Sequence, residues 1–393
     1  MRLAQRTWPA LVAIGAGWLA VMPSSILSIA LRLDEIDSPA FVYSITLTLG
    51  WAALIVGVNF FGRLSDRLLA NSAGTRNIML LCTALMLGFN WALSETYSDL
   101  LLPVLWVLLQ IPVAAIVSFA TTAAAESHGA SASTRVSALV GATPLLATLL
   151  GSLIVQVVGE STWIFLLPAI VAAVALLPFA LQPPQKAAQL ASVTNAQHET
   201  SRGWRWFLIA SFFASWTTSA TTSFLVPYAA TVLGTPATTL ASATSGILAG
   251  ATMLSIAGSL ALALRPRSQR LARRSFTIGA GLMAGGVALI IFLPSLQSLA
   301  IGGLLCGLGF GLVNGVELHI VQAFTAERGE NGRRIGELTA VTTLPYVAVP
   351  AIGSVMLTIN ERLGLIGNFA TAAVVSAVAV AVFAKQVDQR LIR

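Results

Sequence analysis

The sequence predicts an all-α membrane protein with twelve transmembrane helices in two related six-helix bundles. Its composition is the first reason: 56% of the residues are hydrophobic and only 9% are charged, whereas roughly 25% are charged in a soluble domain. The second reason is that the apolar residues form separate runs of about 18–28 residues, and each run can cross roughly 30 Å of hydrocarbon. Because backbone polar groups in lipid must be satisfied within their own segment, these runs are helices.

Twelve such spans can be placed along the 393 residues. The first follows a basic segment that resembles the start of a signal peptide, but it stays apolar from Trp8 to Leu31 without a cleavage-type ending, so we interpret it as a retained span. The first six spans lie near 8–31, 39–61, 77–94, 100–125, 136–158 and 162–182, and the second six near 205–232, 239–264, 276–293, 296–324, 336–359 and 363–384. Residues 1–182 and 205–393 are therefore predicted as the two bundles, and the polar segment 183–204 as a cytoplasmic linker.

The distribution of basic residues predicts the orientation. Placing both termini in the cytoplasm puts 20 of the 22 Lys and Arg residues on the cytoplasmic side and leaves only Arg32 and Arg362 outside. Such a positive-inside bias indicates a multi-pass protein of the inner (cytoplasmic) membrane. The net charge of +7 is then explained by lipid headgroups, and we do not expect nucleic acid as a partner.

Two loops at equivalent places support a duplicated chain. Both carry an acid, a glycine, an arginine and an aliphatic residue in the same order, as repeat folds of transporters do; chance similarity between two short loops is the alternative. The loops are Ala125-Glu126, Gly129 and Arg135-Val-Ser-Ala-Leu139 after the fourth span, and Ala326-Glu327, Gly329 and Arg334-Ile-Gly-Glu-Leu338 after the tenth. We predict that Glu126, Arg135, Glu327 and Arg334 are the charges of two cytoplasmic hinges.

The loop between the second and third spans reads Gly62-Arg-Leu-Ser-Asp-Arg67. Gly62 would let two helices approach closely, and the carboxylate of Asp66 could face a helix N-terminus or an arginine. The segment resembles the signature loop of the major facilitator superfamily, although an ordinary charged turn is the alternative. The resemblance implies the major facilitator fold and a secondary transporter working by alternating access, with Gly62, Asp66 and Arg67 as its conformational-switch motif.

Three further segments narrow the resemblance. Leu31–Pro39, Gly307–His319 and Gly336–Pro350 are similar to the bacterial branch related to sucrose transporters and glycoside–pentoside–hexuronide symporters. That resemblance implies a sugar or glycoside carrier coupled to a cation, usually a proton. The first three spans contain no acidic residue, which argues against sodium coupling.

Glu317 is the only acidic residue clearly within a span. A charge at mid-bilayer costs roughly 2.5–3.5 kcal/mol, so its presence indicates a water-filled cavity, a partner or protonation. We predict that Glu317 couples transport to protons, with Asn314 on the same helix face three residues earlier. The alternative is a structural salt bridge with Arg135 or Arg334.

Two stripes of small residues have the four-residue spacing of a helix face. Small residues let helices pack closely, and His319 falls on the first stripe rather than beside Glu317. The second stripe could instead be a hydroxyl-lined wall facing the substrate, with Trp216 beside it. The stripes are Gly303, Gly307, Gly311 and Gly315, and Ser211, Ser215, Ser219 and Ser223.

Polar and aromatic residues within the spans predict a cavity for a neutral polar solute such as a sugar. An amphipathic drug would fit equally, so multidrug or metabolite efflux by proton antiport is the alternative function. The cavity candidates are Asn314, Trp216, Ser219, Tyr43, Trp51, Gln110, Gln156 and Tyr346.

Other classes of protein are disfavoured. The sequence has no nucleotide-binding loop, no Cys/His spacing typical of a metal site and no soluble domain large enough for an ATPase, and its polar residues are too sparse for a membrane-embedded enzyme. Cys82 and Cys306 lie inside apolar spans and are interpreted as packing residues. We therefore expect secondary transport without a cofactor or metal, driven by the proton gradient. We also expect a monomer whose partners are the lipid bilayer and a small-molecule substrate.

Overall fold

The structure, a computed structural model, describes residues 2–68, 72–126, 133–158, 162–181, 202–263, 269–325, 337–338 and 340–383. Within these residues every regular element is helical. The chain divides into two compact units, Met1–Asn195 and Ala196–Arg393. Most of the predicted linker lies outside the described residues, but its end does not, because the seventh helix already begins at Arg202.

The first unit contains six helices in its described part, and each falls on one predicted span. The first, α1, runs over Arg2–Pro23, passes through a π-helical turn at Ser24–Ser28 and continues as Ile29–Glu35. The others are α2 (Ala40–Leu68), α3 (Ser72–Glu95), α4 (Leu101–Glu126), α5 (Ser133–Val158) and α6 (Trp163–Leu181).

The described part of the second unit repeats this plan. The helix α7 covers Arg202–Ser223, then a short turn of helix at Leu225–Pro227 and a π-helical turn at Tyr228–Val232. The others are α8 (Ala237–Ala263), α9 (Gln269–Phe292), α10 (Leu296–Thr325), α11 (Pro345–Ile359) and α12 (Glu361–Val382).

Most of these helices are apolar enough to cross a membrane. Among the described residues, ten meet the length and hydropathy that a span requires, and α5 contributes the shorter apolar segment Ala142–Val158. The exception is α7, whose 22 residues include four serines, four threonines and two arginines. The predicted fold class, an all-α membrane protein with twelve spans, is confirmed.

The two units share one packing pattern. In each unit the first helix packs against the fourth, fifth and sixth, the second against the fourth, and the third against the fourth and sixth. The unit formed by α1–α6 and the unit formed by α7–α12 agree in all six of these pairs. A common arrangement of this kind is what a duplicated six-helix chain predicts.

Glycines set the closest approach in the second unit. A Cβ added to Gly307 or Gly311 of α10 would overlap the backbone of Ala251 or Ser255 on α8. A Cβ on Gly315 would come within 2.9 Å of the Ser259 Cα. The predicted glycine stripe is therefore a packing seam between α8 and α10, and the Ser259 hydroxyl adds a 2.9 Å hydrogen bond to the Gly311 carbonyl across it.

The first helix of each unit is interrupted in the same way. Pro23 precedes the π turn of α1, and Pro227 precedes the π turn that follows α7. A proline removes one helical hydrogen bond and crowds the preceding turn, and π turns occur mostly as isolated features of this kind. One carbonyl of the first π turn accepts a side-chain hydrogen bond: the Tyr43 hydroxyl of α2 donates to the Ser25 carbonyl at 2.8 Å.

Candidate coupling site

Glu317 lies near the end of α10, on the side of the helix that faces the interior of the second unit. Its side chain is 9% exposed. Its helix neighbours Val313, Val316 and Ile320 belong to an apolar cluster that also contains Ala210 and Ala214 of α7. The carboxyl group therefore lies at the boundary between α10 and α7, where aliphatic side chains exclude water.

Two polar side chains from other helices reach Glu317. Ser211 of α7 is fully buried, and its hydroxyl is the hydrogen-bonding group beside the carboxyl. The Tyr346 hydroxyl of α11 lies within electrostatic range of the same carboxyl. The structure thus brings together Glu317 and Tyr346, which the sequence predicts as functional, and adds Ser211, which the sequence places only on a small-residue stripe.

No cation neutralises this carboxyl within the described part of the chain. The ion pair between Arg32 and Glu35 lies in the first unit, away from this carboxyl in the sequence. The side chains of Arg135 and Arg334, the predicted alternatives for a salt bridge, lie outside the described residues, as does that of His319. A carboxyl in such surroundings is more stable neutral than ionised, because burial disfavours the charged form. The site can therefore hold a proton.

The serine stripe of α7 is buried inside the unit. All four serines are at most 4% exposed, and the Ser219 hydroxyl donates to the Pro345 carbonyl of α11 at 3.2 Å. On another face, Thr217 bonds to Ser376 and to the Ala372 carbonyl of α12. These contacts favour the packing interpretation of the stripe over a wall that faces substrate.

The remaining candidates of the second unit lie near this stripe. Trp216 is partly buried, with its ring centroid 5.7 Å from that of Phe212. Its indole nitrogen is buried and has no hydrogen-bond partner in the described residues. Asn314 is partly buried one helical turn before Glu317.

The candidates of the first unit have different environments. Tyr43 is buried and bonded to Ser25. Trp51 is buried with its ring centroid 6.5 Å from that of Trp18. Gln110 is buried and donates to the carbonyl one turn earlier, whereas Gln156 is exposed on α5. Tyr43 and Gln110 are therefore both hydrogen-bonded to backbone carbonyls, and their place in a substrate cavity stays a prediction.

The signature motif differs from its prediction in two respects. It lies within the last turns of α2, which continues to Leu68, rather than in a loop, because nothing between Gly62 and Arg67 breaks a helix. No described atom lies within 4 Å of a Cβ added to Gly62, so the described residues show no close helix approach there. Ser65 makes the contact instead, with its hydroxyl 2.9 Å from that of Thr122 on α4.

The other charged residues of the predicted switch and hinges cannot be placed. The side chains of Asp66, Arg67, Glu126 and Arg135 lie outside the described part of the structure. Glu327 and Arg334 fall wholly outside it.

Sequence analysis missed two polar contacts. Arg32, which the sequence marks only as an exception to the positive-inside bias, is 2% exposed. Its guanidinium lies 4.2 Å from the Tyr97 ring centroid and 3.2 Å from the Glu35 carboxylate. The Trp204 indole donates to the Glu337 carboxylate at 2.8 Å, joining the start of α7 to the residues before α11. The Arg32–Tyr97 and Trp204–Glu337 contacts join segments far apart in sequence, so hydropathy alone does not reveal them.

Within the described residues, the chain forms twelve helices in two similarly packed units, and the carboxyl of Glu317 is buried in the second. The chain matches the Major Facilitator Superfamily over residues 10–322, and it belongs to that superfamily. No curated protein sequence matches it significantly.

Solved structures show the same fold. The chain is similar to a bacterial homologue of the human lysosomal transporter Spinster in an inward-facing, occupied conformation, with a TM-score of 0.69 and 10% identity over 97% of this chain and 96% of that one. It is also similar to a mutant of the nucleoside transporter NupG, with a TM-score of 0.68 and 12% identity over 96% and 99% of the two chains. At these identities the likeness concerns the fold alone.

Proposed function

We propose that this chain is a secondary active transporter of the cytoplasmic membrane, which moves a small polar solute by alternating access and couples it to protons at Glu317. The observation that carries the proposal is the environment of that carboxyl: it is nearly buried, enclosed by the apolar cluster of α7 and α10, and unpaired with any described cation.

The energetics of burial suit a proton carrier. Keeping a charge within the bilayer costs roughly 2.5–3.5 kcal/mol or more. The protonated, neutral carboxyl is therefore the stable form inside the unit. The proton is released only when the site opens to water, which ties proton movement to the change of access state. This coupling needs no cofactor, because the proton gradient supplies the energy.

We propose a sugar or glycoside as the substrate. The sequence resemblance to sugar symporters supports this class, and so does a partly buried amide, Asn314, one turn from Glu317. Efflux of an amphipathic drug or metabolite is the second candidate, favoured by the aromatic pair Phe212 and Trp216. A thermal-shift screen of sugars, glycosides and lipophilic cations on the purified chain separates them, since a ligand at 100 times its Kd adds about 2.7 kcal/mol of stability.

Replacing Glu317 by Gln tests the coupling. Glutamine mimics the neutral form, so we expect Glu317→Gln to abolish proton-driven accumulation of the ligand found in the screen. Binding and exchange across the membrane should survive, because exchange requires no deprotonation. The measurement is uptake into proteoliposomes with and without an imposed proton gradient.

Glu95→Gln is the matched control for this test, since Glu95 is an exposed carboxyl at the end of α3. It should accumulate ligand as the unmodified protein does. Full proton-driven accumulation by the Glu317→Gln protein would refute the assignment.

A further inference from the structure

Ser211 is a fully buried hydroxyl that its own helix does not satisfy. Its Oγ has no hydrogen bond of normal geometry within the described residues. Serine and threonine in a helix commonly bond to the carbonyl one turn earlier, and on α7 Thr218 and Thr222 do so. Ser219 of the same stripe bonds to α11 instead. Ser211 therefore keeps an unused donor inside the unit.

The unused donor lies beside Glu317. The Ser211 hydroxyl is the hydrogen-bonding neighbour of the Glu317 carboxyl, yet the two groups do not have the geometry of a formed bond. The residues on either side, Ala210 and Ala214 on α7 and Val316 on α10, belong to the same apolar cluster. The pair is therefore enclosed, and Glu317 is the acceptor within reach of Ser211.

The other helices packed around α10 carry few groups that could act on the Glu317 carboxyl. The helix α8 has no charged residue. The close glycine pairs of α9 and α10, Gly279 with Gly309 and Gly286 with Gly302, bring Arg273 and Arg274 of α9 level with Glu317. Among the described residues, the influences on the Glu317 carboxyl are its burial and the Ser211 hydroxyl rather than an arginine. From α11, Tyr346 interacts with the carboxyl electrostatically.

We propose that Ser211 is the positioning residue for the coupling carboxyl: its hydroxyl rotates to donate a hydrogen bond to Glu317 once the proton has left, and withdraws when the proton returns. A hydrogen bond to an ionised acceptor is stronger than one to a neutral acceptor, so the bond forms selectively in the deprotonated state. The inference rests on the proposed proton coupling at Glu317. It adds the hydroxyl that stabilises the carboxylate after the site has opened to water and the proton has left.

Infrared difference spectroscopy between acidic and alkaline pH tests this on the purified full chain without any substrate. Glu317 should give a protonated-carboxyl band and a carboxylate band, both lost in Glu317→Gln. In Ser211→Ala the carboxylate band should shift while the protonated-carboxyl band stays in place. Ser211→Thr, which keeps the hydroxyl, should restore the position of the carboxylate band, and Ser215→Ala, one turn along the same buried stripe, should shift neither band.

Transport gives the second readout, with the ligand identified by thermal shift as the probe. Losing a hydrogen bond to a charged group should lower proton-driven accumulation about tenfold or more, while exchange is unchanged. If Ser211→Ala does not fold, Ser211→Cys, which is nearly isosteric but a weak donor, should show the same band shift and loss.

The outcomes separate the two proposals. If Glu317→Gln keeps both bands, Glu317 does not titrate and the proposed coupling fails. If Glu317→Gln loses them but Ser211→Ala leaves the carboxylate band unshifted, only the role of Ser211 is overturned. Equal loss of accumulation and exchange in Ser211→Ala, without a band shift, would likewise show that the serine only packs.

Discussion

Glu317 and Arg32 are the two charged side chains that the structure buries among its described residues, and they are buried in different ways. Glu317 lies among aliphatic groups with the Ser211 hydroxyl beside its carboxyl. Arg32 lies against the Tyr97 and Phe165 rings and is paired with Glu35, whose side chain is 49% exposed. The first arrangement is the one on which the proposed proton coupling rests, whereas the second holds three segments together around a permanent charge.

The role of Arg32 leads to a prediction about stability. Its guanidinium joins the last turn of α1 to the loop after α3 and to the start of α6. A cation over an aromatic ring contributes about 0.5–2 kcal/mol. We expect Arg32→Gln to lower the Tm of the purified chain, while Arg362→Gln, at an exposed arginine, should leave it nearly unchanged. Equal Tm values for the two variants would show that the Arg32 contacts are not stabilising.

Asp66 is the residue of the switch motif for which the sequence makes the clearest prediction. If its carboxylate stabilises one access state, Asp66→Asn should shift the balance between states without unfolding the protein. Transport should then fall more than ligand binding, measured in parallel on the same preparation. Asp99→Asn, at an exposed position between α3 and α4, is the control. Equal loss of binding and transport in Asp66→Asn, at normal expression, would count against a switch.

At the scale of single helices, α10 is the most constrained element of the described chain. It packs by glycines against α8 on one face, and Gly302 and Gly309 approach α9 on another. Without a hydrophobic driving force between helices in lipid, such close backbone packing supplies much of the association energy. Even one methyl group on these faces forces the helices apart.

Alanine substitutions at two glycines test this packing. We expect Gly307→Ala to lower the Tm, because its Cβ overlaps the Ala251 backbone and such overpacking costs about 1–3 kcal/mol. Gly281→Ala on α9 is the matched control, since no described atom lies within 4 Å of the added Cβ. There alanine should be neutral or stabilising, by about 0.5–1 kcal/mol from its helix propensity. A Gly307→Ala protein as stable as the control would contradict the seam.

For the whole molecule, the charge distribution makes a prediction that the helices alone do not. The bias of 20 basic residues to 2 places both termini and the segment around Lys186 in the cytoplasm. Introduced cysteines at Asp37, Asp99 and Glu361 should react with an impermeant reagent in intact cells, and one at Leu190 should not. The native Cys82 and Cys306 are buried, so they give little background. Labelling of the cysteine at position 190 would show that the orientation is the opposite of the predicted one.

The sequence predicts the number of helices well, because each apolar run has the length that a bilayer imposes. It misplaces the Gly62–Arg67 motif, since charged residues resemble a loop while Leu64 and Leu68 allow α2 to continue. The sequence singles out Glu317 because a single acidic residue within an apolar run is unusual. It cannot find that Ser211 and Tyr346 lie beside Glu317, or that Tyr97 and Phe165 cover Arg32, because tertiary packing alone brings these residues together.

The packing pattern also has a consequence for biosynthesis. In each unit the first helix packs on the fourth, fifth and sixth, all of which leave the ribosome after it. The serine and threonine faces of α7, too polar for α7 to qualify as a span by hydropathy, are covered by α11 and α12. A nascent chain that stops before α12 therefore exposes the threonine face, including Thr217, to lipid, to water or to an insertion chaperone. The second unit can close only when its last helix has been made.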